Sequence, residues 1–347
     1  MLTINQFRIL LGNIIALLLL VSIVLMGMLE FKNLYIEPSV LVLQTKFDGK
    51  NDRIIKTKDS LKEFDTIFES PNIQDFGSTK TQLIVTTGLE DGESRLQLVN
   101  LKSKEVKKIE YSGKFVGNIL AGGDRFVMQV ENIVDGKRTY SSKLGIIEGD
   151  NPQVKDFNPQ FLASAAYSIF LNPNGSLLVF TGVANNQFIV DLDNPDSITK
   201  LTNTDKFTLG FINEHQIAFD NYTSDDKLRI ELLDINTNQS SFLPLGNPRY
   251  DQIAINKDGN AMSYTEIKNS RDTNIKGFKD FNNSNTYFIP NYSFEKIQLD
   301  NSNDFLLFEK TLPDKPYSLV ESFAIYHLKT KYLSGNTITG IKAIWAK

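Results

Sequence analysis

The chain has 347 residues, a formal net charge of -4 and a sequence pI near 5.4. This balance gives no reason to expect a nucleic-acid partner, because such partners require concentrated Lys and Arg. The absence of cysteine excludes a disulfide framework, a thiolate metal site and a cysteine nucleophile. A chain of this length can bury the core of one large domain.

The first predicted element is an apolar helix. Residues 9–29, which begin at Ile9 and end at Leu29, carry no charge, and at about 1.5 Å per residue they span roughly 30 Å, the thickness of a bilayer core. The residues that follow lack the small-residue pattern of a cleavage site, which favours an uncleaved anchor over a cleaved signal peptide. Arg8 precedes the stretch and the charges after it cancel, so the positive-inside rule places the N-terminus in the cytoplasm.

This interpretation divides the chain into three parts. Residues 1–31 form a cytoplasmic tip and a membrane-spanning helix, residues 32–38 a short linker, and residues 39–347 a domain outside the cytoplasm, either periplasmic or extracellular. The lipid bilayer is therefore the first expected partner.

After residue 39, apolar runs of strand length alternate with clusters of Asn, Asp, Gly and Pro, which is typical of strands and turns. One kind of apolar strand recurs roughly every 43 residues, a period that indicates propeller blades. Tight turns precede most copies, and further short strands follow. The recurring strand begins at Val40, Leu83, Arg125, Leu177, Gln216, Ala261 and Phe305.

Four short strands in each repeat predict an all-β fold, a seven-bladed β-propeller. The first repeat, 39–68, has only three strands, because the apolar helix stands in place of its first strand. A leftover strand at 337–345 follows the last repeat, and we expect it to pair with the strands of 39–68 and complete the seventh blade. A six-bladed propeller with both ends as additions is the alternative.

The repeats resemble the WD-like blade of TolB-type propellers. The resemblance is carried by LNPNGSLLVF at 171–180, FIVDLD at 188–193 and TKLT at 199–202, and a weaker copy reads INKDG at 255–259. It implies a propeller with a binding role, and it transfers no catalytic residue to this chain.

The search for catalytic and metal-binding motifs is mostly negative. His215 and His327 are the only histidines, and we interpret both as turn or strand residues rather than metal ligands. Asp191, Asp193 and Asp196 group as in a calcium loop but lack its Gly and terminal Glu, which favours a polar turn. We therefore expect no cofactor.

Two long connections between second and third strands, 131–139 and 311–321, share one face of the predicted propeller with segment 158–165. Loops on a rigid scaffold are common binding elements, so we expect this face to hold a protein partner. The candidate contact residues are Arg138, Phe161, Leu162, Pro313, Pro316 and Tyr317.

Two classes of function follow. The first is a non-enzymatic scaffold that belongs to a larger envelope or surface complex. The second is a carbohydrate-active propeller enzyme or a sensor of a small ligand. The single tryptophan, Trp345, weighs against a site that stacks sugars, and the sequence leaves the oligomeric state open.

Overall fold

The structure, a computed structural model, describes residues 17–22 and most of 39–346. Contacts divide the chain into two units, Met1–Pro38 and Ser39–Lys347. Within 39–346, the residues outside the description are 47, 59–60, 62, 90–93, 112–113, 135–136, 149–152, 158–168, 182–185, 202–205, 207, 223–227, 243–248, 256–260, 268–273, 281–285, 290–293, 300–304, 311–320, 329–331 and 334–337.

In the first unit, residues 17–22 are helical, and the Ser22 hydroxyl donates a 2.8 Å hydrogen bond to the carbonyl of Leu18. The leucines at 17–20 are 59–63% exposed. Among the described residues, no helix is both long enough and apolar enough to span a bilayer. Ile9 and Leu29, the ends of the predicted anchor, lie outside the described residues, so the anchor stays a prediction.

The second unit is built from short strands, because turn-forming Asn, Asp, Gly and Pro interrupt its apolar runs. The strands are β1 Val40–Gln44, β2 Asp52–Lys58, β3 Glu63–Ser70, β4 Ile73–Ser78, β5 Gln82–Gly88, β6 Ser94–Asn100, β7 Val106–Ile109, β8 Lys114–Gly122, β9 Arg125–Val134, β10 Lys137–Glu148, β11 Val154–Phe157, β12 Ile169–Leu171, β13 Leu177–Thr181, β14 Gln187–Asp191, β15 Asn194–Lys200, β16 Thr208–Phe211, β17 Gln216–Tyr222, β18 Leu228–Asp234, β19 Gln239–Phe242, β20 Arg249–Ile255, β21 Ala261–Ile267, β22 Asn274–Asp280, β23 Thr286–Ile289, β24 Phe294–Leu299, β25 Phe305–Lys310, β26 Glu321–His327, β27 Tyr332–Leu333, β28 Ile338–Gly340 and β29 Lys342–Trp345.

In the described part of the chain these strands form seven antiparallel sheets. Sheet 1 has the order β29-β1-β2-β3, and sheets 2 to 6 each contain the next four strands in turn, from β4–β7 to β20–β23. Sheet 7 contains β24–β27, and β28 also pairs with β26. We number the strands of each sheet from first to fourth in this order, so that β29 is the first strand of sheet 1.

The recurring strand of the sequence is the second strand of every sheet. Most of its described residues are buried, as in β1, where Val40 to Leu43 are all 0% exposed. A strand reads as continuously apolar when other layers cover both faces of its sheet. The period in the sequence therefore reflects one buried strand per sheet.

Among the described side chains, buried apolar clusters join sheets 1 to 5 in series and sheet 7 to sheet 1. Sheets 5, 6 and 7 contact each other in series through their first strands, β16, β20 and β24. Sheet 7 also packs against sheet 1, so the last sheet in the chain contacts the first. Pairs that represent the buried clusters, starting from sheets 1 and 2, are Leu43–Phe76, Ile84–Phe126, Val127–Phe180, Val179–Phe219 and, between sheets 7 and 1, Phe305–Val42.

The C-terminal strand lies beside the first strand of the domain, with Val40 opposite Trp345 and Leu43 opposite Lys342. The expected strand 337–345, however, is divided in two: β28 pairs with β26 of sheet 7, and only β29 pairs with β1. A Cβ on Gly340 would lie 2.5 Å from the carbonyl oxygen of Leu43, so glycine lets the tail cross closely between the sheets. A change of ladder partner leaves no mark on the apolar pattern, which is why the sequence predicted one strand.

The connections lie at two ends of the sheets. We call the end with the first-to-second and third-to-fourth connections the turn face, and the opposite end the long-connection face. Ser39 and Ala346 meet at the turn face, where the Ala346 amide donates a 2.8 Å hydrogen bond to the Ser39 carbonyl.

Candidate functional site

A pair of charged side chains joins the first strands of sheets 1 and 2, and a backbone amide of sheet 3 binds it. Lys342 of β29 donates from Nζ to Asp75 Oδ1 of β4 and, at 2.8 Å, to the Phe76 carbonyl. The second carboxylate oxygen of Asp75 accepts a 2.9 Å bond from the backbone amide of Ile119 in β8. Both Asp75 oxygens are therefore engaged by neighbouring sheets. We call this group the inner cluster.

Local backbone features position the inner cluster. The β4–β5 register shifts between Ile73 and Asp75, and a bulge of this kind re-aims a side chain. A Cβ on Gly77 would lie 2.7 Å from Cγ2 of Ile119, so this glycine brings β4 close to β8. The Lys342 ammonium also lies 5.2 Å from the Phe76 ring centroid, close enough for a cation–π contact.

A second polar group bridges sheets 4 and 5 at the long-connection face. Thr208 Oγ1 donates to Gln187 Oε1 at 2.7 Å, and Gln187 Nε2 donates to the carbonyl of Lys206. Lys206 Nζ forms an ion pair with Glu231, whose side chain is 5% exposed. A buried carboxylate requires such a partner. These contacts hold Lys206 and Thr208, at the end of the 201–208 connection, against sheets 4 and 5.

On the turn face, the turns of neighbouring sheets interlock. The Gly123 amide donates to the Pro173 carbonyl at 2.7 Å, and Asn172 Nδ2 donates to the Glu214 carbonyl at 3.0 Å. Arg125 links sheets 3 and 4, because it bonds the Gly175 carbonyl at 3.1 Å and pairs with Asp193. These contacts tie sheets 3, 4 and 5 together.

In sheets 2, 4 and 5, an Asx residue ends the third strand and organises the turn that follows it. Asn100, Asp191 and Asp234 accept hydrogen bonds from amides two or three residues later. The amides of Thr237 and Asn236 lower the pKa of Asp234, since they stabilise its charged form, and His215 adds a smaller effect. The next residue then bonds the first turn of the same sheet, as Leu101 does at 2.9 Å to Thr81. Asp191 and Leu192, the Asp-Leu pair within the FIVDLD motif, take these two roles in sheet 4, where the Leu192 amide donates a 2.7 Å hydrogen bond to the Ser176 carbonyl.

Most of the predicted partner-binding residues lie outside the described residues, namely Phe161, Leu162, Pro313, Pro316 and Tyr317. Arg138 lies in β10 opposite Ile133. The expected loop 131–139 is largely strand, because β9 and β10 continue as a hairpin to either side of 135–136. Its many polar residues are compatible with an extended hairpin, and composition alone does not distinguish the two.

The other candidate residues take structural positions. His215 is exposed in a turn, and His327 is 7% exposed with its ring 4.7 Å from that of Phe305. Asp191 accepts the amide of Asp193, which itself pairs with Arg125, and the side chain of Asp196 lies outside the described residues. Within the described ranges, no three His, Cys, Asp or Glu residues group as metal ligands.

Sequence reasoning missed both polar clusters. Lys342 is an isolated charge in an apolar tail and Asp75 interrupts a strand, which are weak signals of a buried pair. Lys206 and Glu231 carry no pattern at all. Lys342 and Asp75 lie 267 residues apart and Lys206 and Glu231 lie 25 residues apart, so each partner is visible only in the folded chain.

Comparisons with known proteins reveal the fold. No protein-family model and no curated protein sequence matches the chain. It is similar to the solved structures of TolB from Acinetobacter baumannii (12% identity, TM-score 0.50, 89% of this chain and 66% of that one) and of an uncharacterized protein from Listeria monocytogenes EGD-e (11%, 0.60, 85% and 90%). An oligogalacturonate lyase from Vibrio parahaemolyticus is also similar (13%, 0.60, 79% and 83%).

At these identities the likeness concerns the fold alone, and the similar structures include both TolB and an enzyme. The chain therefore has an all-β fold that resembles the TolB-type β-propeller.

Proposed function

We propose that the seven sheets are the blades of one closed, seven-bladed ring. The pairing of β29 with β1 supports seven blades over six, because it gives the three N-terminal strands their fourth partner. The clusters that link sheet 7 to sheet 1 support closure, since a blade buries its faces only against its neighbours.

We further propose that the ring is held at a membrane, outside the cytoplasm, by the apolar segment 9–29. The exposed leucines of helix 17–22 support this, because side chains of this kind are stable in hydrocarbon and costly in water. The charge asymmetry around the segment supports the orientation with the N-terminus in the cytoplasm.

Within this arrangement the protein acts as a non-enzymatic scaffold that binds a protein partner on the long-connection face. The observation that carries the proposal is the inner cluster. Its acid, Asp75, lies on a first strand, and both its oxygens bind neighbouring sheets. The Asp75 carboxylate therefore stabilises the packing of the sheets. The long connections on the opposite side of this scaffold's turns are the elements that we assign to partner binding.

The competing function is that of a carbohydrate-active enzyme or a small-ligand sensor, and the likeness to a lyase is one of fold. Two measurements separate the functions. Photo-crosslinking phenylalanine placed at Phe161 or Tyr317 in native membranes should capture a defined protein, whereas the same group at Asn238 on the turn face should not. Adducts from position 238 alone would contradict the proposed face, and turnover of oligosaccharides by the purified chain would contradict the scaffold role.

A further inference from the structure

The turn face of sheet 2 concentrates positive charge. Its first-to-second turn carries Lys80, and its third-to-fourth turn carries Lys102 and Lys104 beside a single acid, Glu105, all exposed. The two turns are adjacent, because the Leu101 amide donates a 2.9 Å hydrogen bond to the Thr81 carbonyl.

The lysine-bearing backbone is held in shape by its own hydrogen bonds. Asn100 Oδ1 accepts the amides of Lys102 and Ser103 at 2.9 Å each, and the Lys104 amide bonds the Asn100 carbonyl at 2.8 Å. Lys104 has a φ of +60° and pairs with Asp65 of sheet 1 at 2.7 Å. Lys102 and Lys104 therefore extend from a preformed turn, so little backbone entropy is lost when their ammonium groups bind a ligand.

The charge on the turn face is uneven. In the described turns of sheets 3 to 5 the charged residues include the acids Asp124, Asp193 and Glu214. Two of these are engaged: Asp193 pairs with Arg125, and Glu214 accepts the amide of Asn174 at 3.0 Å. The lysines of sheet 2 lie instead next to sheet 1, where the chain enters the ring at Ser39.

We propose that the sheet 2 turns bind the anionic headgroups of the bilayer, with Lys80 and Lys102 as the contacting cations. This rests on the proposed membrane anchorage, which keeps the ring within reach of a lipid surface. Lysine near an anionic leaflet is attracted to it within about a Debye length. Among the described turns, the basic turns of sheet 2 would thus be drawn towards the lipid.

The test uses the full chain in nanodiscs that contain either phosphatidylcholine alone or about one third phosphatidylglycerol. The chain has no cysteine, so Ser103→Cys and, on the long-connection face, Lys50→Cys each carry one fluorophore. A nitroxide on the lipid headgroup quenches a fluorophore that comes close. We expect quenching at position 103 to rise severalfold with anionic lipid and to fall at high salt, with no such response at position 50.

Charge variants show whether the lysines carry the effect. Lys80→Gln with Lys102→Gln should reduce quenching at position 103 to its level in neutral lipid, whereas Lys46→Gln with Lys200→Gln, the same charge change on the opposite face, should not. An equal response of both pairs, or quenching at 103 that ignores lipid charge, would overturn the proposal. Loss of the chain from alkali-washed membranes would instead overturn the anchorage beneath it.

Discussion

Lysine occupies two contrasting environments in sheets 1 and 2. Lys342 is 25% exposed and is held by a carboxylate, a carbonyl and an aromatic ring, while Lys104, in the turn 101–105, is 43% exposed and pairs with a carboxylate that is itself 42% exposed. Partial burial makes the first contact strong, because removal of one partner leaves a desolvated charge behind. Water screens the second contact, so its charge remains available to an outside partner. The exposed fraction of the side chain thus distinguishes a lysine that holds the sheets together from one that faces solvent.

The largest expected effect comes from deletion of residues 341–347. The deletion removes β29, leaves the fully buried edge of β1 without a ladder partner and takes Lys342 from Asp75. Because a domain is stable by only about 5–15 kcal/mol, we expect the cooperative urea transition to be lost. A synthetic peptide of residues 338–347 should restore it in trans. A truncated chain that unfolds at the wild-type midpoint would contradict closure by this strand.

The next effect concerns the inner cluster alone. Lys342→Met keeps the side-chain length and leaves Asp75 with one hydrogen bond fewer, which should cost about 2–3 kcal/mol after allowance for partial exposure. Asp75→Asn should cost less, and a double-mutant cycle measured by urea unfolding should give a coupling of at least about 0.5 kcal/mol. Strict additivity of the two changes would argue against the pair.

The interlocked turns can be tested at a glycine. Gly175 has a φ of +79°, and a Cβ there would lie 2.2 Å from the Gly122 carbonyl oxygen. Gly49 has a similar φ of +83° with open space around it. Gly49→Ala should cost about 1 kcal/mol from backbone strain, and Gly175→Ala roughly 1–2 kcal/mol more. Equal losses on thermal unfolding would mean that the turn contact between sheets 3 and 4 is unimportant.

Substitution of Lys104, the more exposed of the two lysines compared, should change stability little. Lys104→Met breaks a surface pair and is expected to change the free energy of unfolding by less than about 1 kcal/mol. The change should shrink further in 1 M salt, where the Debye length is about 3 Å. A loss as large as that of Lys342→Met would show that exposure does not separate the two lysines.

The smallest effect is a dependence on pH. The folded pKa of Asp234 is lowered by the amides of its turn, so its contribution is present above the unfolded pKa of about 3.9 and is lost as pH falls through the folded pKa. Asp234→Asn should weaken the loss of stability below about pH 4. Asn100→Asp, which places a carboxylate in the matching turn, should strengthen it. If the two variants do not shift the stability loss between pH 5 and pH 2 in opposite directions, the carboxylate does not stabilise this turn.

Much of the fold could be predicted because each sheet repeats a local pattern. The second strands from β1 to β25 were found by their period, since burial on both sides requires a continuous apolar run. The pattern did not show that the residue after the third-strand Asx joins two turns of one sheet. That contact, for example the hydrogen bond from the Leu101 amide to the Thr81 carbonyl, connects residues of separate turns. In the candidate site, the loop predicted at 131–139 is largely strand, while five of the six residues proposed for partner binding lie outside the described residues and stay predictions.

The sequence alone determined the strand order, the period and the need for a fourth strand beside the N-terminal three, because apolar alternation and turn residues act over short distances. Tertiary structure decided where the tail changes ladder at Gly340 and which charges meet, Lys342 with Asp75 and Lys206 with Glu231. Those contacts join residues far apart in the chain, and the burial that makes them strong exists only after the sheets have packed together.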